Sequence, residues 1–347
     1  MTDLHYGEDA EQDARSDVLQ RSVLAAERPD LVVFSGDMVS GWMCGEGAAP
    51  PAHAGDDSGG GDGNASAGSC SPGWYEARWE QLTAAVREAS IPWAVVLGNH
   101  DDEADLSRRE VVDLAVHTGG PLSVTCQGPA GISGASNYWL DIHPPLGEAP
   151  AGGQAVAQCG GDAGAGAGCG EGAPADAAAR VWLLDSQNSG CPPLTSGWGC
   201  VGDDAVAWVN ASLAGMPRVP SLAFVHIPVP QFEAAWSEGW PAVGRKTEEV
   251  SCPDRDSGLF GLARAADIHA IYSGHDHSND FSGVIDGVRL AFGRKSRYGS
   301  YGPPPGWQRG ARVVRLRVGE DTAESETWIR QEDGSVEWQH ESDQLSA

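Results

Sequence analysis

Residues 94–103, AVVLGNHDDE, decide how this chain is read. A short apolar run closes on Gly98 and is followed at once by Asn99, His100 and Asp101. Such a run, bounded by a turn residue, reads as a buried strand. A strand that ends on Asn-His-Asp delivers those side chains to one edge of a sheet, where α/β folds bind their ligands. The same design recurs in TDLHYG (2–7), VVFSGDMVSG (32–41), LAFVHIP (222–228) and IYSGHDHSND (271–280). Singly, each stretch is weak. Asp3 and His5 around Leu4 are a chance-level pair, Gly36-Asp37 is an ordinary turn, and His226 alone is an ordinary core histidine. Gly98-Asn99-His100-Asp101 and Gly274-His275-Asp276-His277 are rarer. Strand after strand ending on Asp, Asn or His is a metal-binding pattern more than a set of turns.

The intervening sequence supplies the scaffold. Residues 11–28 carry Val18, Leu19, Val23 and Leu24 on one helical face, and GWYEARWEQLTAAVREAS (73–90) is a second amphipathic helix. Between and after them lie the short buried strand of PDLVVFSGD (29–37) and that of IPWAVVLGNHD (91–101). Alternation of strand and helix in this order predicts parallel βαβ pairing. Further strands are expected in SNYWLDI (136–142), RVWLLDS (180–186), SLAFVHIP (221–228), IHAIYSGHDH (268–277) and GVRLAFG (287–293). ARVVRLRV (311–318) and ETWIRQEDGSVEWQ (326–339) read as antiparallel, with Asp333-Gly334 as a hairpin turn. Many strands with fewer helices fit an α/β fold of two packed sheets flanked by helices. Residues 45–73 and 147–178, rich in Gly, Ala, Asp and Ser, read as low-complexity insertions within one domain spanning 1–347.

Composition bounds the function. A net charge of −27 argues against nucleic-acid binding, which needs a basic surface. No apolar run reaches the roughly 18 residues of a membrane span. None of the eight cysteines sits in a Cys-x-x-Cys pair, so a zinc ribbon is not indicated. Cys191 and Cys200 bracket the short loop CPPLTSGWGC and are the best-placed disulfide pair. The cysteines, with the sequons at Asn64 and Asn210, lean towards a secreted or endomembrane-lumen location, although the sequence shows no signal peptide.

Taken together, the five strand ends resemble the calcineurin-like metallophosphoesterase superfamily, and within it the purple-acid-phosphatase-29-like and Dcr2-like branch. The likeness extends through DEADLSRREVVDL (102–114), FVHIPVPQF (224–232), SGHDHSNDF (273–281) and YGSYGPPPGWQRGARVV (298–314), so it covers nearly the whole chain apart from the two insertions. It implies a four-layer αββα sandwich of two mixed β-sheets, with a dinuclear metal site at the C-terminal strand ends. Asp37 matches the bridging position. Asp3, His5 and His277 would complete the first ion's protein ligands, and Asn99, His226 and His275 the second's. The ions implied are divalent or mixed-valence, with Fe, Zn or Mn the candidates. Two ions roughly 3.5–4 Å apart lower the pKa of bound water towards about 7 and clamp a phosphoryl group. His100 matches the family's non-ligand histidine, which stabilises the transition state or protonates the leaving oxygen. Asp101 is a candidate to orient it. The implied activity is hydrolysis of phosphoric monoesters, on a phosphorylated small molecule or a phosphoprotein. A phosphodiesterase on the same site and a catalytically impaired interaction protein are the alternatives.

Two departures from the family pattern stand out. Where purple acid phosphatases carry an iron-binding tyrosine, this chain has Ser40, so the phenolate-to-iron colour should be absent. Where the related branch has a glycine run, this chain has Arg294, Lys295 and Arg297. These could hold a phosphate oxygen by charge-assisted hydrogen bonds, or form a solvated basic turn, the reading preferred here. Finally, the family's first motif ends a buried central strand, and Met1-Thr2 is too short to supply one. The expectation is therefore a missing first strand, mobile Asp3 and His5, and a first ion held less tightly than the second.

Overall fold

Strands buried on both faces set the layers. In the computed structural model, which describes residues 1–44, 70–143, 157–160, 177–318 and 323–339, β1 (Val32–Ser35) and β2 (Trp93–Val96) pair in parallel. Val32, Phe34, Trp93 and Val95 face one way, into a core shared with α1 (Ala10–Glu27), α2 (Trp74–Glu88) and α3 (Arg108–Thr118). Val33, Ala94 and Val96 alternate to the other face. There they meet β3 (Tyr138–Ile142) and β5 (Ala179–Leu183) of the larger sheet. Side chains on successive strand residues point to opposite faces, so one short apolar run fills two cores.

The larger sheet has eight strands, in the order β4-β3-β5-β6-β8-β10-β9-β7. Its members still to be placed are β4 (Ala157–Gly160), β6 (Ser221–Phe224), β7 (Ala242–Val243), β8 (Ile268–Ser273), β9 (Ser282–Ile285) and β10 (Val288–Phe292). β5, β6, β8 and β10 run parallel, and each outer strand pairs antiparallel with its inner neighbour. Its outer face packs on α4 (Asp203–Ala214), α5 (Gln231–Ser237) and α6 (Leu259–Ala265). Beside the smaller sheet, β11 (Gly310–Val318), β12 (Ala323–Gln331) and β13 (Val336–Trp338) form an antiparallel meander, with the expected turn around Gly334. Val314 and Leu316 of β11 cover Leu222, Ala270 and Tyr272 of the larger sheet. Helices, small sheet, large sheet and helices give the expected four layers.

The smaller sheet differs in being two separate pieces. Met1–Tyr6 runs beside β1 without forming a regular strand: Thr2 bridges Lys295 and Tyr6 bridges Val39, both in parallel. A cavity of about 360 Å³ lies between β1 and β11, lined by Met1, Val33, Val181, Leu222, Phe224 and Val314 among others. Asp3 and His5, expected to be mobile, are instead fully buried, with their backbone N–H groups donating to Gly36 O and Asp37 O at 3.1 and 2.9 Å. Backbone pairing to the β1 turn substitutes for the strand.

Cys191 and Cys200 are disulfide-bonded as expected; Cys44–Cys70 is a second bridge, and Cys126 is also disulfide-bonded. The expected insertions at 45–73 and 147–178 fall mostly outside the described residues. The exception with regular structure is β4, which lies inside the second of them and pairs with β3.

Candidate metal centre

The candidate donors other than Asp3 and His5 each follow a strand by a few residues, and tight turns set their direction. Asp37 follows β1, Asn99 and His100 follow β2, His226 follows β6, and His275 and His277 follow β8. Asp3, His5, Asp37 and His275 adopt positive φ of 54°, 45°, 49° and 76°. Non-glycine residues avoid this region, and where it persists the surrounding structure holds it, most often at functional sites. Gly98 lets two strand ends approach: a Cβ there would run into the backbone N and the carboxylate of Asp37.

The donors fall into two groups that share one carboxylate. Asp3, His5, Asp37 and His277 form the first, and Asp37, His226 and His275 the second, with the donor atoms of each group within 4.8 Å of one another. Asp37 Oδ2 is 3.7 Å from His5 Nε2 and 3.1 Å from His226 Nε2. His5 Nε2 and His277 Nε2 face each other at 3.1 Å, and Asp3 Oδ1 lies 3.4 Å from the latter. Asp3 Oδ2, Asn99 Oδ1, His226 Nε2 and His275 Nε2 are buried without an aligned hydrogen-bond partner. Buried polar atoms are rarely left so, because each costs about 1–3 kcal/mol. Here, lone pairs from imidazole and carboxylate converge, which is a donor set for a borderline divalent cation.

Hydrogen bonds on the far ring nitrogens orient the imidazoles. His226 Nδ1 donates to Ser35 O at 2.8 Å, and His277 Nδ1 lies 3.0 Å from Tyr301 O. Ser40 Oγ donates to Glu8 at 2.5 Å and sits 3.2 Å from His5 Nδ1, ready to accept from it. All three Nε2 atoms are thereby left facing the centre, as metal-binding histidines require.

Burial acts on every group in the site, and neighbouring charge decides the outcome. Burial and then Lys295 push His5 well below the ordinary imidazole value and lower His277 as well. Burial also lowers His275, to about 3. For His226 burial is outweighed by Asp37, which raises it to about 9. For Asp3 burial is outweighed by His277, which lowers it to about 2.

His100 is the more open member, with its side chain 28% exposed. Its Nδ1 lies 2.9 Å from a carboxylate oxygen of Glu103, not of Asp101. Asp101 is wholly buried and faces the backbone, accepting from the N–H groups of Asp37, Met38 and Gly98 at 3.1, 2.8 and 2.7 Å. It staples the β1 turn to the β2 turn and does not touch the imidazole. Spacing alone could have suggested Glu103, since a residue three positions on returns to the same side of a turn.

The basic stretch also differs from expectation. Arg294, Lys295 and Arg297 are at most 1% exposed, so they form no solvated turn. Arg294 is paired with Asp280 and Glu337, and Arg297 with Asp13, which leaves neither for a phosphate. Lys295 Nζ lies 3.3 Å from Asp3 O and 3.2 Å from His277 Nδ1. A buried cation needs a partner, and the acids of the N-terminal segment and the C-terminal strands supply most of them.

Residues 1–143 match the calcineurin-like phosphoesterase family model. Over that stretch the chain is similar to the calcineurin-like phosphoesterases. As a class, these are phosphoester hydrolases. "Probable inactive purple acid phosphatase 29" of Arabidopsis thaliana is 27% identical, over 87% of this chain and 68% of that protein. "Phosphatase DCR2" of Saccharomyces cerevisiae is 25% identical, over 95% of this chain and 52% of that protein. The likeness is thus on the purple-acid-phosphatase-like and Dcr2-like side of the family. Among solved structures, "GAP50 the anchor in the inner membrane complex of Plasmodium" superposes with a TM-score of 0.51 at 10% identity, covering 98% of this chain and 86% of that one. That likeness speaks to the fold alone. No helix among the described residues is long and apolar enough to cross a membrane.

Proposed function

We propose that this chain is a dinuclear metal-dependent phosphomonoesterase. The observation that supports it is the pair of donor groups sharing Asp37. Asp3, His5, Asp37 and His277 would hold one ion, and Asp37, Asn99, His226 and His275 the other. Bound there, two divalent ions supply Lewis acidity and an activated water for in-line attack at phosphorus. Imidazole, carboxylate and amide donors suit Zn, Fe or Mn.

His100 is the proton donor in this reading. Burial lowers its pKa, but Asp37 and then Glu103 raise it to about 9, so it carries a proton at neutral pH. As water oxygen bonds to phosphorus and the ester P–O bond breaks, that proton passes to the departing alcohol oxygen. Glu103 holds the ring for the transfer. Disulfides fit an oxidising compartment, which favours a secreted or lumenal enzyme acting on phosphorylated small molecules or phosphoproteins.

The word "inactive" in the plant relative's name makes a non-catalytic protein the reading to test against. Turnover of 4-nitrophenyl phosphate and of bis(4-nitrophenyl) phosphate, with and without added Mn or Zn, separates the readings. The monoester should be favoured, and His100→Ala should cut its turnover by roughly 10²- to 10⁴-fold with ion content retained. Ion-loaded protein should show no violet absorbance, since Ser40 cannot supply a phenolate. No turnover of either ester by protein carrying both ions would overturn the proposal.

A further inference from the structure

Aromatic rings stand beside the candidate donors. Trp42, in the short 3₁₀ turn Gly41–Met43, packs edge-on against His100 at 4.4 Å between centroids and lies 5.2 Å from His5. Trp198 packs edge-on against His275, also at 4.4 Å. Tyr301 stacks on His277 at 4.1 Å. All three rings are half-buried, whereas the candidate ligands are at most 7% exposed. Arg294 and Arg297 are tied to acids, and Arg108 is held by Asp185, Asp102, Asn188 and Gly98 O. Recognition of a leaving group beside the centre therefore falls to flat apolar surface more than to these cations.

The two tryptophans share a second feature. Trp42 stands two residues before Cys44, which is bonded to Cys70, and Trp198 stands two residues before Cys200, which is bonded to Cys191. Trp198 also bridges Ser189 across its loop. Trp198 is thus carried inside a covalently closed turn beside the second donor group, and Trp42 stands just outside a second disulfide, beside the first. A wall fixed in advance loses little entropy when a ligand settles on it.

We propose that Trp42 and Trp198 form a disulfide-anchored aromatic clamp that selects phosphoric monoesters of planar, aromatic alcohols. The proposal rests on the phosphomonoesterase reading and adds its substrate class. Offset or edge-to-face ring contacts give roughly threefold to tenfold in affinity apiece, so the preference should be measurable without being absolute.

The test compares naphthalen-2-ylmethyl phosphate with cyclohexylmethyl phosphate. Both leave as primary alcohols, so the pair differs chiefly in planarity and not in leaving-group acidity. Wild-type kcat/KM should favour the naphthyl ester by about tenfold or more. Trp42→Leu and Trp198→Leu should each lower that ratio by roughly threefold to tenfold, with the double variant near unity. Trp42→Phe and Trp198→Phe, which keep a ring, should retain most of it. Ion content and thermal midpoint identify any variant that has failed to fold, and the Phe variants then carry the test. Equal kcat/KM for the two esters in wild type would overturn the clamp and leave the phosphatase standing. If neither ester turns over, calorimetry with the matching non-hydrolysable phosphonates still decides the clamp: equal binding of the two overturns it, and tighter naphthyl binding that weakens in the Leu variants upholds it.

Discussion

The two donor groups share Asp37 but are supported differently. The second group comes off regular strands, with Asn99 after β2, His226 after β6 and His275 after β8. Two donors of the first group, Asp3 and His5, ride on a segment that pairs with β1 and its turn without forming a regular strand and begins beside a cavity of about 360 Å³. Proton occupancy differs as well. His5 and His277 are lowered by burial and by Lys295, whereas His226 is raised to about 9. Equal chemistry can therefore sit on unequal supports: one donor group comes off regular strands and must displace a proton, while the other is proton-free and draws two donors from a segment outside any regular strand.

The largest effect expected follows from what the groups share. Asp37→Ala should empty both positions, because its carboxylate faces His5 and His226 at once. Asn99→Ala should empty only the second. Ion content by mass spectrometry, read beside turnover, checks this. Retention of one ion per chain in Asp37→Ala would show that the groups are independent and break the comparison at its root.

A second effect separates the groups by pH. At neutral pH the metal-free protein carries a proton on His226, held there by Asp37 against the pull of burial. An ion entering the second group must release it, so apparent affinity there should fall as pH falls below 9, by up to roughly tenfold per pH unit. In the first group His5 and His277 are already neutral, and affinity should stay flat. The window is roughly pH 9 to 8, since Lys295, lowered by burial to about 7, gains charge beside His277 as the pH approaches that value. Calorimetric titration of stripped protein in buffers of different ionisation enthalpy reads both constants and the protons released. Two constants moving in parallel would refute the asymmetry.

What the sequence disclosed follows the same division. Strand ends were legible because an apolar run stopping at Gly-Asp, Gly-Asn-His or Gly-His-Asp-His is a local signal. Asp3, His5, Asp37, His226, His275 and His277 fall into the two donor groups, because the parallel strands carrying most of them end on the same edge. Partners contributed from elsewhere in the chain were not legible. Arg294, Lys295 and Arg297 look like a surface turn in sequence, since Asp13 and Glu337, which neutralise two of them, lie far away along the chain. Asp101 looks like a partner for the adjacent His100, yet its carboxylate is consumed by backbone N–H groups of another strand's turn. The order of Asp3 and His5 was not legible either, because pairing to the β1 turn is a tertiary effect.

The smallest effect expected concerns Ser40, and it sharpens the comparison most. In the family pattern this position supplies an iron-binding phenolate; here a hydroxyl too short and too weakly acidic to replace it lies 3.2 Å from His5 Nδ1 and donates to Glu8. Its work is therefore to hold the His5 ring and its tautomer, leaving Nε2 for the ion. His277 has a comparable hold from Tyr301 O and His226 from Ser35 O, both backbone carbonyls that no substitution removes. Ser40 is thus the side-chain member among these three supports, and it belongs to the less firmly built group. Losing such an outer hydrogen bond typically costs about 10- to 100-fold in metal affinity. With the backbone bonds of Asp3 and His5 still intact, the lower end is expected. Ser40→Ala should weaken the first ion by about tenfold and leave the second unchanged. Ser40→Thr should recover most of the loss if the added methyl is accommodated, because it restores the hydroxyl. Stepwise ion titration reads the two constants separately. A loss shared equally by both ions would mean that Ser40 shapes the whole centre, and the mechanical distinction between the groups would have to be abandoned.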